Sequence, residues 1–193
     1  LEVEQLRREI GELIGKRAYQ KRRVTLASGR ESNFYIDSKQ VTLTAEGIYK
    51  IALYILRLVR KENMDDVEAV GGPVMGAVPL AAAVSALSRA DGGGKPLDIF
   101  FVRPEAKGHG TKSLVEGPTL REGAGLLLLD DVLTTGGSVL KAVHAVREMG
   151  CRVEKVLVIV DRQEGGRENL QKEGLQVYSI LTREEIEKAA GTS

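Results

Sequence analysis

A chain of 193 residues, 42% hydrophobic and 28% charged, has the makings of one folded domain with a substantial core and is not the composition of a disordered chain. Lys+Arg 28 against Asp+Glu 27 leaves a formal charge of +1, so no global field favours nucleic acid or an anionic membrane, and any anion site must be built locally. The single cysteine, Cys151, excludes an internal disulfide, and no apolar run approaches the roughly 20 residues of a membrane span, which makes the cytoplasm the expected compartment. The charged, acidic-rich first residues are unlike a secretory signal, and Leu1 in place of Met points to trimming or an incomplete chain.

Val3, Leu6, Ile10, Leu13 and Ile14 recur at steps near three and four, which predicts an amphipathic first helix. The turn-rich residues 27–33 lead into a short strand at Phe34, Tyr35 and Ile36. Thr44 is placed to cap a helix carrying Ile48, Ile51, Ile55, Leu58 and Val59 on one face. Strand and helix then alternate. A strand at 67–70 is broken by Gly71, Gly72 and Pro73, a nearly all-apolar helix follows over 76–87, and a glycine-rich connection at 91–94 precedes a strand at 99–102. Residues 103–122 show no periodicity and carry glycine and proline breakers, which predicts a long flexible loop of the kind that is usually functional. A strand at 126–129 ends in Asp130 and Asp131; a helix over 137–149 turns Val139, Val143 and Val146 inward. A strand at 153–160, a polar turn at 161–167 and a last strand at 177–181 complete the pattern, and Thr182 with Glu185 forms a capping box for a C-terminal helix.

This order predicts an α/β fold with a mainly parallel central sheet flanked by helices, a single domain over 1–193, and ligands bound beyond the carboxyl ends of the strands. The first 40 or so residues do not fit the alternation and are expected to form a small N-terminal hood.

The most informative segment runs from the apolar strand through Asp130, Asp131, Val132, Leu133, Thr134, Thr135, Gly136, Gly137 and Ser138 into a helix. Its glycines, hydroxyls and helix N-terminus suit a phosphate. Carboxylates repel a phosphate, so two of them beside such a cradle make sense only for a ligand that also carries hydroxyls or a divalent cation, as a ribose phosphate does. Ser138 by itself reads as a helix cap; for the assembled string that reading fails, because paired acids at the end of a buried strand are costly without partners. The string matches neither the P-loop nor the dinucleotide fingerprint.

These thirteen residues, 126–138, resemble the phosphoribosyl-pyrophosphate motif of the type I phosphoribosyltransferases. Three further segments, residues 26–37, 103–110 and 161–166, resemble in order the substrate loop, catalytic loop and base-side turn of the orotate phosphoribosyltransferases. The resemblance implies transfer of a phosphoribosyl group from phosphoribosyl pyrophosphate to orotate, with release of pyrophosphate. It implies that Asp130 and Asp131 hold the ribose hydroxyls, with Mg²⁺ carried mainly by the pyrophosphate and water nearby and no direct protein ligand. Val132, Leu133 and the Thr134 to Ser138 loop hold the phosphate, and Arg103, Lys107 and His109 serve the leaving pyrophosphate. It further implies a homodimer whose loop enters the neighbouring subunit's site.

Physical roles fit these positions. Arg162 offers a planar fork of donors to the orotate carboxylate, with Thr134 adding a hydroxyl; standing alone, Arg162 reads as a surface arginine paired with Glu164 or Glu168. Phe34 and Tyr35 are placed to flank a flat ring, although core filling is the commoner use of such residues. Lys107 and His109 sit on the loop, where a cation and a group titrating near neutrality would assist a departing anion. His144 reads as an ordinary helix-face residue. Where many relatives carry lysines, this chain has Ala27, Pro104 and small residues within 72–79, leaving fewer cations for pyrophosphate. Two other readings are the same chemistry on a purine or uracil, which the Arg162 turn opposes, and a non-catalytic nucleic-acid-binding regulator, which the balanced charge opposes.

Overall fold

The computed structural model describes residues 2–25, 31–32, 34–90, 94–105 and 113–191. Helix α1 (Val3–Arg17) is followed by four two-residue strands, β1 (Tyr19–Gln20), β2 (Val24–Thr25), β3 (Glu31–Ser32) and β4 (Tyr35–Ile36). Next come α2 (Lys39–Thr42), α3 (Ala45–Lys61), β5 (Val67–Pro73), α4 (Ala77–Ala90), β6 (Asp98–Val102) and β7 (Val115–Glu116). The chain then builds β8 (Gly125–Leu133), α5 (Gly137–Glu148), β9 (Arg152–Asp161), α6 (Gly166–Lys172), β10 (Gln176–Thr182) and α7 (Arg183–Gly191).

Six strands form one sheet in the order β10-β9-β8-β5-β6-β7, and two antiparallel pairs, β1 with β4 and β2 with β3, lie outside it. Every neighbouring pair in the large sheet is parallel except β6 with β7. Four consecutive leucines in β8 show why the strand is central. The pleat sends Leu127 and Leu129 into a core shared with α1, α3 and α4, and Leu126 and Leu128 into a second core under α5. An uninterrupted apolar run is thereby consumed on both faces, as a parallel sheet covered by helices requires.

Local rules account for the ends of the helices. The Thr44 hydroxyl accepts the Gly47 amide at 3.1 Å and starts α3. At α7 the Glu185 carboxylate accepts the Thr182 amide at 2.8 Å while the Thr182 hydroxyl accepts the Glu185 amide at 3.3 Å, a complete capping box.

The structure departs from the sequence expectations at several places. α1 packs into the main core through Leu6, Ile10 and Ile14, and Phe34 and Ile36 join the same core, although the small strand pairs stay outside the six-stranded sheet. The expected loop of 103–122 contains β7, which pairs antiparallel with β6 through Phe101 and Glu116; residues 106–112 lie outside the described residues. The short helix α2 falls where the sequence suggested no element, and α6 begins within the expected polar turn of 161–167. β8 also runs on through Asp130 and Asp131, because β9 stays paired with it as far as Leu133 against Asp161. On the other side β5 pairs with β8 only as far as Gly71 against Leu128. Beyond Leu128 the two strands part, and the crevice they leave is the point where strand order reverses, the place such sheets offer to ligands.

Candidate active site

Both acids stand at this parting. Asp130 is 7% exposed, and its Oδ1 accepts the amide of Asp131 at 2.9 Å. Burial, followed by the neighbouring charge of Asp131, pushes its carboxyl up to about 8. Asp131 is half-buried; its Oδ1 accepts the Val132 amide at 2.9 Å and its Oδ2 accepts the Ser38 hydroxyl at 2.5 Å. Asp131 lines a cavity of about 180 Å³ with Lys39, Leu43, Met75 and Gly76. Gly76 has no alternative here, since a Cβ on it would stand 2.5 Å from Asp131 Oδ1 and 2.6 Å from Asp130 Oδ1. Asp131 is thus the more exposed of the two acids, and an oxygen of each lies beside Gly76.

The loop leaving β8 turns at Gly136, which takes φ +83° just before α5. Thr134 is half-buried, while Thr135, Gly137 and Ser138 are exposed. Leu133 is in the core and Gly136 is buried, so these two offer backbone rather than side-chain contacts. The Ser138 hydroxyl stands 3.5 Å from Asp130 Oδ2. Backing the loop is the start of α6, where Gly166 approaches so closely that a Cβ would lie 2.5 Å from the Thr134 carbonyl oxygen. The chain thus sets the 161–166 turn against the phosphate-type loop through a glycine contact, and the Arg162 amide donates to the Leu133 carbonyl at 3.0 Å.

Arg162 is 4% exposed, which removes the surface reading of this residue. Its Nε donates to Glu164 Oε1 at 2.9 Å, and its guanidinium carbon lies 4.5 Å from the centroid of the Phe34 ring. The guanidinium carbon of Arg183 lies 4.3 Å from the same centroid, and Tyr19 stacks nearby at 6.2 Å. Phe34 is itself only 1% exposed. Of the two uses the sequence left for it, this burial is the core-filling one, with the Phe34 ring beneath Arg162. Tyr35 is half-buried and carries Arg22 at 5.0 Å from its ring centroid. The turn is stapled by Asp161, whose Oδ1 accepts the Gln163 amide at 2.9 Å and whose Oδ2 accepts Arg167 Nε at 2.8 Å.

Arg103 opens the hairpin beside β7, with its amide bonded to the Leu114 carbonyl at 2.9 Å and its guanidinium 3.5 Å from Glu116. The Lys141 ammonium donates to the Pro104 carbonyl and ties α5 to the root of the hairpin. Lys107 and His109 lie outside the described residues. Lys39 is drawn to Asp37 at 3.2 Å, and the neighbouring carboxylate raises its pKa. Sequence reasoning missed Ser38, Gly76 and Arg183 as neighbours of the site, whereas Glu164 is a pairing partner it had offered for Arg162. Among the described residues no group of three or more His, Cys, Asp or Glu side chains is arranged to hold a metal.

Comparison with known proteins gives a consistent set of relatives. The phosphoribosyl transferase domain family matches residues 41–186. The chain is 43% identical over 184 residues to the orotate phosphoribosyltransferase of Synechocystis sp., covering 95% of this chain and 90% of that one. It is 45% identical over 161 residues to the orotate phosphoribosyltransferase of Aquifex aeolicus, covering 83% and 85%. Among solved structures, the orotate phosphoribosyltransferase from Aeropyrum pernix superposes with a TM-score of 0.78 at 35% identity, covering 95% of this chain and 99% of that one. That of Mycobacterium tuberculosis, solved in complex with phosphoribosyl pyrophosphate, gives 0.72 at 36% identity, covering 94% and 99%.

Proposed function

The chain belongs to the phosphoribosyltransferase family and, within it, to the orotate phosphoribosyltransferases, and from that premise we propose how its own residues divide the reaction. It transfers the phosphoribosyl group of phosphoribosyl pyrophosphate to orotate, giving orotidine 5′-monophosphate and pyrophosphate, a step of pyrimidine biosynthesis. The carrying observation is the 3.0 Å bond from the Arg162 amide to the Leu133 carbonyl, which fixes the base-side turn and the phosphate-side loop to one another. Two ligands bound at these two places would meet at the crevice between β5 and β8.

In this reading the loop of Thr134, Thr135, Gly136, Gly137 and Ser138 takes the ribose phosphate with amides, hydroxyls and the start of α5. Asp131 accepts hydrogen bonds from the ribose hydroxyls, with Asp130 beside it. Arg162, joined by Thr134, holds the orotate carboxylate, and Phe34 and Glu164 hold Arg162. The bond from the ribose carbon to the pyrophosphate oxygen breaks as the bond to the orotate ring nitrogen forms, and the proton that nitrogen carried passes to the departing pyrophosphate or to water. Positioning and stabilisation of the departing anion supply the catalysis. Arg103 and, outside the described residues, Lys107 and His109 assist that anion.

Two adjacent carboxylates are hard oxygen donors, compatible with a hard divalent cation that is bound chiefly through a polyphosphate. Mg²⁺, when bound, would supply positive charge to the pyrophosphate. We further propose a homodimer in which each hairpin serves the neighbouring site. The apolar rim beside Asp131 supports this, because Leu43 and Met75 are 64% and 75% exposed and a partner's hairpin would cover them. No described helix is long and apolar enough to cross a membrane, and the cytoplasm is the compartment proposed.

The test is direct. The protein is mixed with phosphoribosyl pyrophosphate, Mg²⁺ and either orotate, uracil, adenine or hypoxanthine, and consumption of each base is followed by absorbance. Turnover of orotate alone is expected; preference for another base would overturn the assignment of Arg162.

A further inference from the structure

Ser38 connects two parts of the chain that are distant in sequence. It is 3% exposed and its hydroxyl donates to Asp131 Oδ2 at 2.5 Å, across 93 positions. Serine just before a helix commonly spends its oxygen on the helix's own amides. Here the backbone is already helical, φ −51° and ψ −30°, and the side chain makes no cap bond. The backbone is nonetheless rigid, because the Ser38 carbonyl accepts the amides of Val41 at 2.9 Å and Thr42 at 2.8 Å. The hydroxyl is therefore a fixed donor aimed at a remote carboxylate.

Asp131 is held by two donors. Its own neighbour Val132 donates to Oδ1 at 2.9 Å and Ser38 donates to Oδ2, while beside Oδ1 Gly76 leaves the space that a side chain would fill. The Val132 bond is local and would form wherever this strand ended. The Ser38 bond comes from outside the motif and sets which way the second oxygen turns. Lys39 is not an equivalent restraint, since its ammonium pairs with Asp37 at 3.2 Å.

We infer that Ser38 is a positioning residue for phosphoribosyl pyrophosphate, acting through Asp131 to hold the carboxylate in the orientation that receives the ribose hydroxyls. The inference rests on the assignment of Asp131 to the sugar. Ordering this carboxylate before the ligand arrives removes a cost that binding would otherwise bear.

The experiment compares the full chain with S38A and S38C, varying phosphoribosyl pyrophosphate at saturating orotate and then the reverse, with the thermal midpoint measured for each. S38A is expected to raise the KM for phosphoribosyl pyrophosphate roughly tenfold, the worth of one hydrogen bond to a charged group. The KM for orotate should stay within about twofold, because the lost bond touches only the sugar half. S38C keeps the size and weakens the donor, and should fall between serine and alanine. An unchanged KM for phosphoribosyl pyrophosphate in S38A overturns the inference, as does an equal rise of both KM values with a lowered midpoint, which would mark Ser38 as merely structural. If S38A does not fold, S38C decides by the same criterion, and a parent-like KM counts against. Absence of orotate turnover in the parent chain would instead sink the assigned reaction, so the two failures are distinguishable.

Discussion

The sugar-phosphate half and the base half of this site are held by different means. The first is a contiguous piece of chain, the end of β8, its glycine turn and the start of α5, in which backbone amides and adjacent side chains do most of the positioning. The second is one arginine fixed by residues scattered through the fold: Glu164 on its own turn, Phe34 beneath it, and Arg183 over the same ring. A ligand phosphate can be met by main chain alone, whereas a carboxylate on a flat ring needs a side-chain fork, and a fork of that length has to be braced. The two halves meet through backbone, at Arg162 to Leu133 and at the Gly166 contact with Thr134.

The strongest test of this division is R162A. Removing the fork should lower kcat/KM for orotate by about 10²–10³-fold and leave the KM for phosphoribosyl pyrophosphate within about threefold. It should also cost about 3 kcal/mol of stability, because Glu164 is left buried without its cation. Steady-state kinetics and denaturant unfolding check both numbers, and equal loss for the two substrates would mean that the halves do not separate. A smaller break on the other side is G76A. Its methyl group would press on both carboxylates, and a displacement near 1 Å should reduce kcat/KM for phosphoribosyl pyrophosphate by about 10–100-fold while orotate affinity, read by equilibrium titration, holds.

D130N sharpens the contrast within the sugar half itself. A carboxyl raised from its ordinary 3.8 to about 8 keeps its proton in the native state over a range where the unfolded chain has lost it. Stability of the ligand-free protein should therefore decline as pH rises from about 4 to about 8 and level off beyond. Asparagine has no such proton to lose. The thermal midpoint of D130N should fall less between pH 5 and pH 8 than that of the parent, by a few degrees; parallel slopes would mean that Asp130 is ionised and better hydrated than its burial implies. The smallest effect is expected from T182A, which removes the hydroxyl of the α7 capping box on the base side, one residue before Arg183. About 1 kcal/mol of stability should be lost, a shift of about 2–4 °C in the midpoint, with the KM for phosphoribosyl pyrophosphate unchanged.

Much of the architecture could be read directly from residue patterns. The spacing of Leu6, Ile10 and Ile14, the cap at Thr44, the leucine run of β8 and the Thr182–Glu185 box each specify an element through contacts within a turn or a pleat, and each is present in the fold. The string from Asp130 to Ser138 was legible for the same reason, being a strand, a turn and a helix start in succession. The two-residue β7 and the helices α2 and α6, of 4 and 7 residues, were not, because elements so short show no period. Nor was the unequal exposure of the two acids, which depends on where β5 parts from β8 while β9 stays paired. Phe34 under Arg162 and Ser38 on Asp131 join positions more than ninety residues apart. The amino-acid order by itself determined the elements and the chemistry that one of them carries, because those follow from short-range geometry. Only the tertiary structure decided which acid is the more exposed, which arginine is buried and what braces each, because burial and side-chain partners are properties of surfaces that the chain brings together after its elements have formed.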